Sequence, residues 1–137
     1  MSENTLEKVT SELQRGGDFR ERVMFPNGRG VSIVRHDYSY GGQQGLFEVG
    51  VLGADGELDY SSPVTGDVLG WQTVTDVVLT MKAVADLPAP GSNADRLLKL
   101  QAKRDQLQAE ITEKELALNE LKRDYGDLNA EISGLEA

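Results

Sequence analysis

No cysteine occurs among the 137 residues, and there is one histidine. Disulfide staples, thiolate nucleophiles and Cys-based zinc sites are therefore excluded. A single histidine cannot build a typical zinc site, and no Ser-His-Asp set follows from spacing alone. No apolar run approaches the ~18 residues needed to cross a bilayer. The N-terminus, MSENTLEKVTSELQRGG, lacks the basic and apolar regions of a signal peptide. The expectation is a soluble, cytoplasmic-type protein. Apolar residues make up only 39%, a low share for one compact core. A long solvated helix attached to a small domain would dilute the core in this way.

Charge is present, and it is segregated. The net charge is −9. Residues 15–35 carry Arg15, Arg20, Arg22, Arg29 and Arg35. Residues 37–81 then hold seven acids (Asp37, Glu48, Asp55, Glu57, Asp59, Asp67, Asp76) and no Lys or Arg. A field of one sign disfavours nucleic acid on that face and favours a basic protein surface. The competing reading is a solvated surface that keeps the chain soluble.

The pattern predicts an α+β protein in four parts: an N-terminal helix in 1–17, a head domain in 18–88, a linker in 89–93 and a coiled-coil helix in 94–137. Asn4, with Glu7 three residues later, is a candidate capping box for the first helix. Leu6, Val9 and Leu13 form its apolar edge, and Gly16-Gly17 stops it. Strands are expected near Phe19–Phe25, Val31–Arg35, Leu46–Leu52 and Glu57–Tyr60, with turns at Pro26-Asn27-Gly28 and Asp55-Gly56. These make a small antiparallel meander. A helix over about 74–86 follows, capped by Thr73 with Asp76. Its Val74, Val77, Val78, Met81, Val84 and Ala85 face the sheet. Trp71 is expected to plug the core where sheet and helix meet. Leu87-Pro-Ala-Pro-Gly-Ser-Asn has linker composition, and Asn93 or Ser92 caps the last helix.

The last helix carries the strongest pattern. With Leu97 at position a, the seam reads Leu97, Leu100, Arg104, Leu107, Ile111, Lys114, Leu118, Leu121, Tyr125, Leu128, Ile132 and Leu135. All but Arg104 and Lys114 are apolar, in an unbroken seven-residue repeat. Such a repeat asks for a partner helix along one seam. A parallel homodimer would oppose Glu110 with Glu115 and Glu131 with Glu136. The charges lean instead towards an antiparallel pair, a higher oligomer or a foreign helix.

No catalytic set is legible, and no cofactor or metal is expected. Asn27-Gly-Arg-Gly and Tyr40-Gly-Gly-Gln-Gln-Gly look like phosphate-cradling loops, yet neither continues into a P-loop or dinucleotide fingerprint. Arg29, Arg35, Tyr38 and Tyr40 surround these loops. Tyrosines beside arginines could stack on and pair with a small anion such as a nucleotide, the best small-molecule site the pattern offers. Asp55, Glu57 and Asp59 would share one strand face, with no calcium-loop pattern.

Phe25-Pro-Asn-Gly-Arg-Gly, Tyr38-Ser-Tyr-Gly-Gly, Gly45-Leu-Phe-Glu-Val-Gly-Val-Leu and Ser62-Pro-Val-Thr-Gly-Asp-Val-Leu-Gly-Trp resemble a group of small bacteriophage and prophage proteins, notably of actinobacteria. The resemblance covers about residues 25–88 and brings no residue-level mechanism. It implies a phage accessory protein acting in the bacterial cytoplasm, of a kind that interferes with host machinery or defence. The expectation is thus a non-enzymatic protein. It self-associates through its coiled coil and binds, blocks or sequesters a host factor. A minor virion or assembly protein docked through the same helix is the alternative, and a nucleotide binder the third reading.

Overall fold

The computed structural model describes residues 1–136; Ala137, where the expected last helix would end, lies outside the described residues. Two compact units divide the chain, Met1–Leu98 and Lys99–Ala137. The first unit, the head, opens with helix α1 (Glu3–Leu13). Strands β1 (Phe19–Met24), β2 (Gly30–Arg35), β3 (Phe47–Leu52) and β4 (Leu69–Gln72) follow, then helix α2 (Val74–Ala85). The strands pair antiparallel in the order β1-β2-β3-β4. The fold is α+β.

Alternation makes the sheet two-faced. Val31 and Ile33 of β2 and Phe47, Val49 and Val51 of β3 point to one side and are buried. Val77, Met81 and Val84 of α2, with Val9 and Leu13 of α1, close over that side. Each such side chain contributes roughly 1.5–3 kcal/mol when removed from water. Thr73 caps α2 as its sequence predicts. The Thr73 hydroxyl accepts from the Asp76 amide at 3.2 Å, and the Asp76 carboxylate accepts from the Thr73 amide at 2.9 Å. The bonds that this carboxylate accepts from the Thr73 amide and hydroxyl hold it below its ordinary value of 3.8.

Three expectations are corrected. Ser2, not Asn4, caps α1, its hydroxyl accepting from the Thr5 amide at 3.2 Å. Glu57–Tyr60 is not a strand. The Asp55-Gly56 turn forms, with the Gly53 amide donating to the Glu57 carbonyl at 2.9 Å, but only Leu58 bridges back to Leu52. Asp55 accepts from the Glu57 amide and Asp59 from the Ser61 amide. These local bonds take donors that a ladder would need, and β4 becomes the partner of β3. Trp71 is not a core plug: it is 57% exposed.

The Asn27-Gly-Arg turn is a latch. Asn27 Nδ2 lies within hydrogen-bond reach of the Val84, Ala85 and Leu87 carbonyls at 2.9–3.2 Å. It thereby satisfies the orphan carbonyls at the end of α2. Gly28 supplies the left-handed residue of the turn at φ 83. The Arg29 side chain is fully buried. Its guanidinium donates to the Pro88 carbonyl at 2.9 Å, to Asp95 at 2.5 Å and to Asp59 at 3.5 Å. Asp95 also accepts from the Gly91 amide at 2.9 Å. Residues 89–93 are pinned by these bonds, and the compact head runs on to Leu98.

Helix α3 (Asn93–Glu136) covers 44 residues, about 66 Å at 1.5 Å per residue. The Ser92 hydroxyl caps it, accepting from the Asp95 amide at 3.1 Å. Gly126 and Gly134 do not interrupt it, although each costs about 1 kcal/mol against alanine. No helix among the described residues is long and apolar enough to cross a membrane.

Candidate functional site

The four residues expected to form an anion site are not brought together. Arg29 and Arg35 stand at opposite ends of β2, ~20 Å apart at ~3.3 Å per residue. Arg29 is committed to its buried ion pairs. Arg35 lies 4.5 Å over the Phe47 ring. Its Nε donates to the Gly17 carbonyl at 2.8 Å and its Nη2 donates to the Arg15 carbonyl. It therefore ties the end of α1 to the sheet. Arg35 and Tyr38 do line one open groove with Phe19, Arg20 and His36, but the Arg35 donors there face backbone. Tyr38 is 95% exposed and Tyr40 62% exposed.

A different cluster appears at the sheet edge. Strand β4 contains a register break: Val49 pairs with Leu69 and Phe47 with Gln72. Gly70 and Trp71 together therefore oppose Glu48. This extra residue is a β-bulge, a device that re-aims side chains at sheet edges. Trp71 takes φ 58, the only described non-glycine residue with positive φ. That conformation costs roughly 1–2 kcal/mol for a residue with a Cβ. Two glycines make room for the arrangement. A Cβ on Gly70 would stand 2.5 Å from Cβ of Tyr40, and one on Gly41 would stand 2.9 Å from Cα of Trp71. The Trp71 amide donates to the Tyr40 carbonyl at 3.0 Å, and Glu48 accepts from the Tyr40 amide at 3.1 Å. Trp71 and Tyr40 are thus held side by side, both exposed, on a segment that has seven acids and no cation. Exposed aromatics in an acidic field suit an arginine- or lysine-bearing partner, through cation–π contact and charge.

Sequence reasoning missed this cluster because an aromatic after an apolar run reads as core. The available signal was Gly70 inside a strand pattern, a mark of bulges.

The second surface is the α3 seam. The ten apolar residues from Leu97 to Leu135 are all exposed, from 49% at Leu107 and Ile111 to 84% at Leu135. Every described residue from Lys99 to Glu136 is exposed. A seven-residue repeat drifts ~20° per heptad around a straight helix, so a partner must supercoil with this stripe. Arg104 turns its guanidinium to Asp105 at 3.1 Å and leaves its stem at the seam. Leu116, also exposed, lies off the seam.

No group of three His, Asp or Glu side chains able to hold a metal gathers among the described residues. No protein-family model, curated protein or solved structure matches the chain.

Proposed function

We propose that this chain is a non-enzymatic binding protein. Helix α3 self-associates, and the head docks a basic surface of another protein on Trp71 and Tyr40. One observation carries the reading: an apolar seam of more than five heptads with every one of its side chains in water. A stripe of that length is an association surface rather than a tolerable exposure. Taken with the resemblance to phage proteins over residues 25–88, the docked partner is a host protein that is blocked or sequestered. Recovery of the chain in purified virions would replace this by the assembly reading.

The head's part is tested with Trp71, the sole tryptophan, as its own reporter. An arginine-rich peptide should shift Trp71 fluorescence, and added salt should weaken the effect. A glutamate-rich peptide should leave it unchanged. Equal response to both peptides, or none to either, would remove the docking assignment. The assembly part is tested by sedimentation of the parent against the Leu107→Glu/Leu121→Glu double variant. A parent that sediments as a monomer would remove it.

A further inference from the structure

We propose that the seam is filled by a second copy of this chain running antiparallel and in full overlap, with Leu116 at the level of the dyad. This rests on the self-association reading and adds orientation and register to it.

The two seam cations decide orientation. In a parallel pair in register, Arg104 would face Arg104 and Lys114 would face Lys114 across two core layers. Glu110–Glu115 and Glu131–Glu136 contacts would each repel twice along the rim. Reversing one helix removes all of these oppositions. In full overlap Leu97 opposes Leu135 of the second copy, Leu107 opposes Tyr125, and Ile111 opposes Leu121. Arg104 meets Leu128 and Lys114 meets Leu118, so each ammonium or guanidinium can reach solvent past an aliphatic neighbour. Arg104 already does so, with its guanidinium at Asp105.

Magnitudes decide register. Sliding by one heptad would give two Lys103–Asp124 and two Arg96–Glu131 attractions and no repulsion, but would leave Ile132 and Leu135 of both helices uncovered. Full overlap has two attractions, Lys103–Glu131, and gives up the two of Arg96. It accepts three repulsions: Glu110–Asp124 twice and Glu115–Glu115 once. Each exposed charge pair changes association by roughly two- to fivefold. Each additional buried aliphatic side chain changes it by roughly tenfold or more. Four additional side chains outweigh three rim repulsions and two lost attractions.

A chain without cysteine lets single thiols report this directly. Ile111→Cys and Leu121→Cys are made separately, with helix content checked by circular dichroism. Mild oxidation of their equimolar mixture should give a disulfide-linked dimer; neither variant alone should do so. Ile111→Cys linking to itself would overturn the antiparallel orientation. Linking in a mixture of Leu107→Cys and Leu118→Cys, in place of the first mixture, would overturn the register. A parent of two-chain mass without either link would overturn both while leaving self-association standing. A parent of one-chain mass would overturn self-association as well.

Discussion

In the head, Val31, Ile33, Val49, Val77, Met81 and Val84 are fully buried, and no described buried side-chain polar atom lacks a hydrogen-bond partner. Between Lys99 and Glu136 every described side chain is exposed, the repeat of apolar residues included. The head satisfies its hydrophobic and polar groups by its own folding. The helix satisfies its backbone through i→i−4 bonds and, from Lys99 on, leaves its described side chains in water. On the proposed function, this difference divides the roles: the sheet and its two helices are a scaffold, and the helix is an assembly surface. Trp71 stands apart among the exposed side chains of the head, which include Tyr38, Tyr40 and Tyr60, as an aromatic held in strained backbone.

The contrast can be broken at the helix with the largest effect. Leu107→Glu with Leu121→Glu should abolish association altogether and leave the head's thermal transition in place, as read by sedimentation and near-UV circular dichroism. A head that melts with the seam would mean that the two regions are not energetically separate.

Breaking the head comes next. Asp95→Ala leaves the Arg29 charge buried with only Asp59 and should cost about 3–5 kcal/mol in urea unfolding. A replacement of the buried pair by apolar residues, Arg29→Met with Asp95→Leu, should cost less than Asp95→Ala alone, because no fully buried charge is left and the part-exposed Asp59 still accepts from the Ser61 amide and hydroxyl.

A smaller loss, about 1 kcal/mol, is expected for Thr73→Ala, which removes the cap of α2. The same cap is sensitive to pH. The Asp76 carboxyl is depressed by hydrogen bonds from the Thr73 amide and hydroxyl. Its stabilisation is therefore complete above 3.8, its ordinary value, and is lost as pH falls through the lowered one. The acid limb of the stability curve should flatten in Thr73→Ala.

Trp71→Gly sharpens the exception. Relief of the left-handed backbone, about 1 kcal/mol, offsets the loss of a half-covered ring. Stability should stay within about 1 kcal/mol of the parent, while response to the basic peptide, followed by calorimetry, disappears. A large destabilisation would return Trp71 to a packing role.

Smallest is Glu21→Gln on β1. The Glu21 carboxyl is raised by burial and by neighbouring Glu12. An acid raised on folding disfavours the fold as pH climbs through and above the raised value. The glutamine variant should therefore gain slightly at neutral pH and show no gain at pH 3, by paired thermal melts.

The first three strands of the meander, α2 with its Thr73–Asp76 cap, and the long helix were legible in the sequence, because each rests on a local period or cap. The features that were hidden are set by contacts far apart in the chain. Arg29 reads as a surface cation in a glycine loop until Asp59 and Asp95 arrive from 30 and 66 residues away. Leu69–Gln72 is absent from the expected strands because Glu57–Tyr60 carries the stronger hairpin signal, which the Asx-type bonds of Asp55 and Asp59 then cut to a single bridge. Trp71 reads as core because a bulge inverts the face that its sequence position implies. The seam was fully legible as a pattern, since a heptad needs no tertiary information.

The most direct test of the central claim is sedimentation equilibrium of the parent chain over a hundredfold range of concentration. The account predicts a mass of two chains, twice 14.9 kDa, giving way to one chain only on dilution. A single-chain mass of 14.9 kDa at every concentration would contradict it.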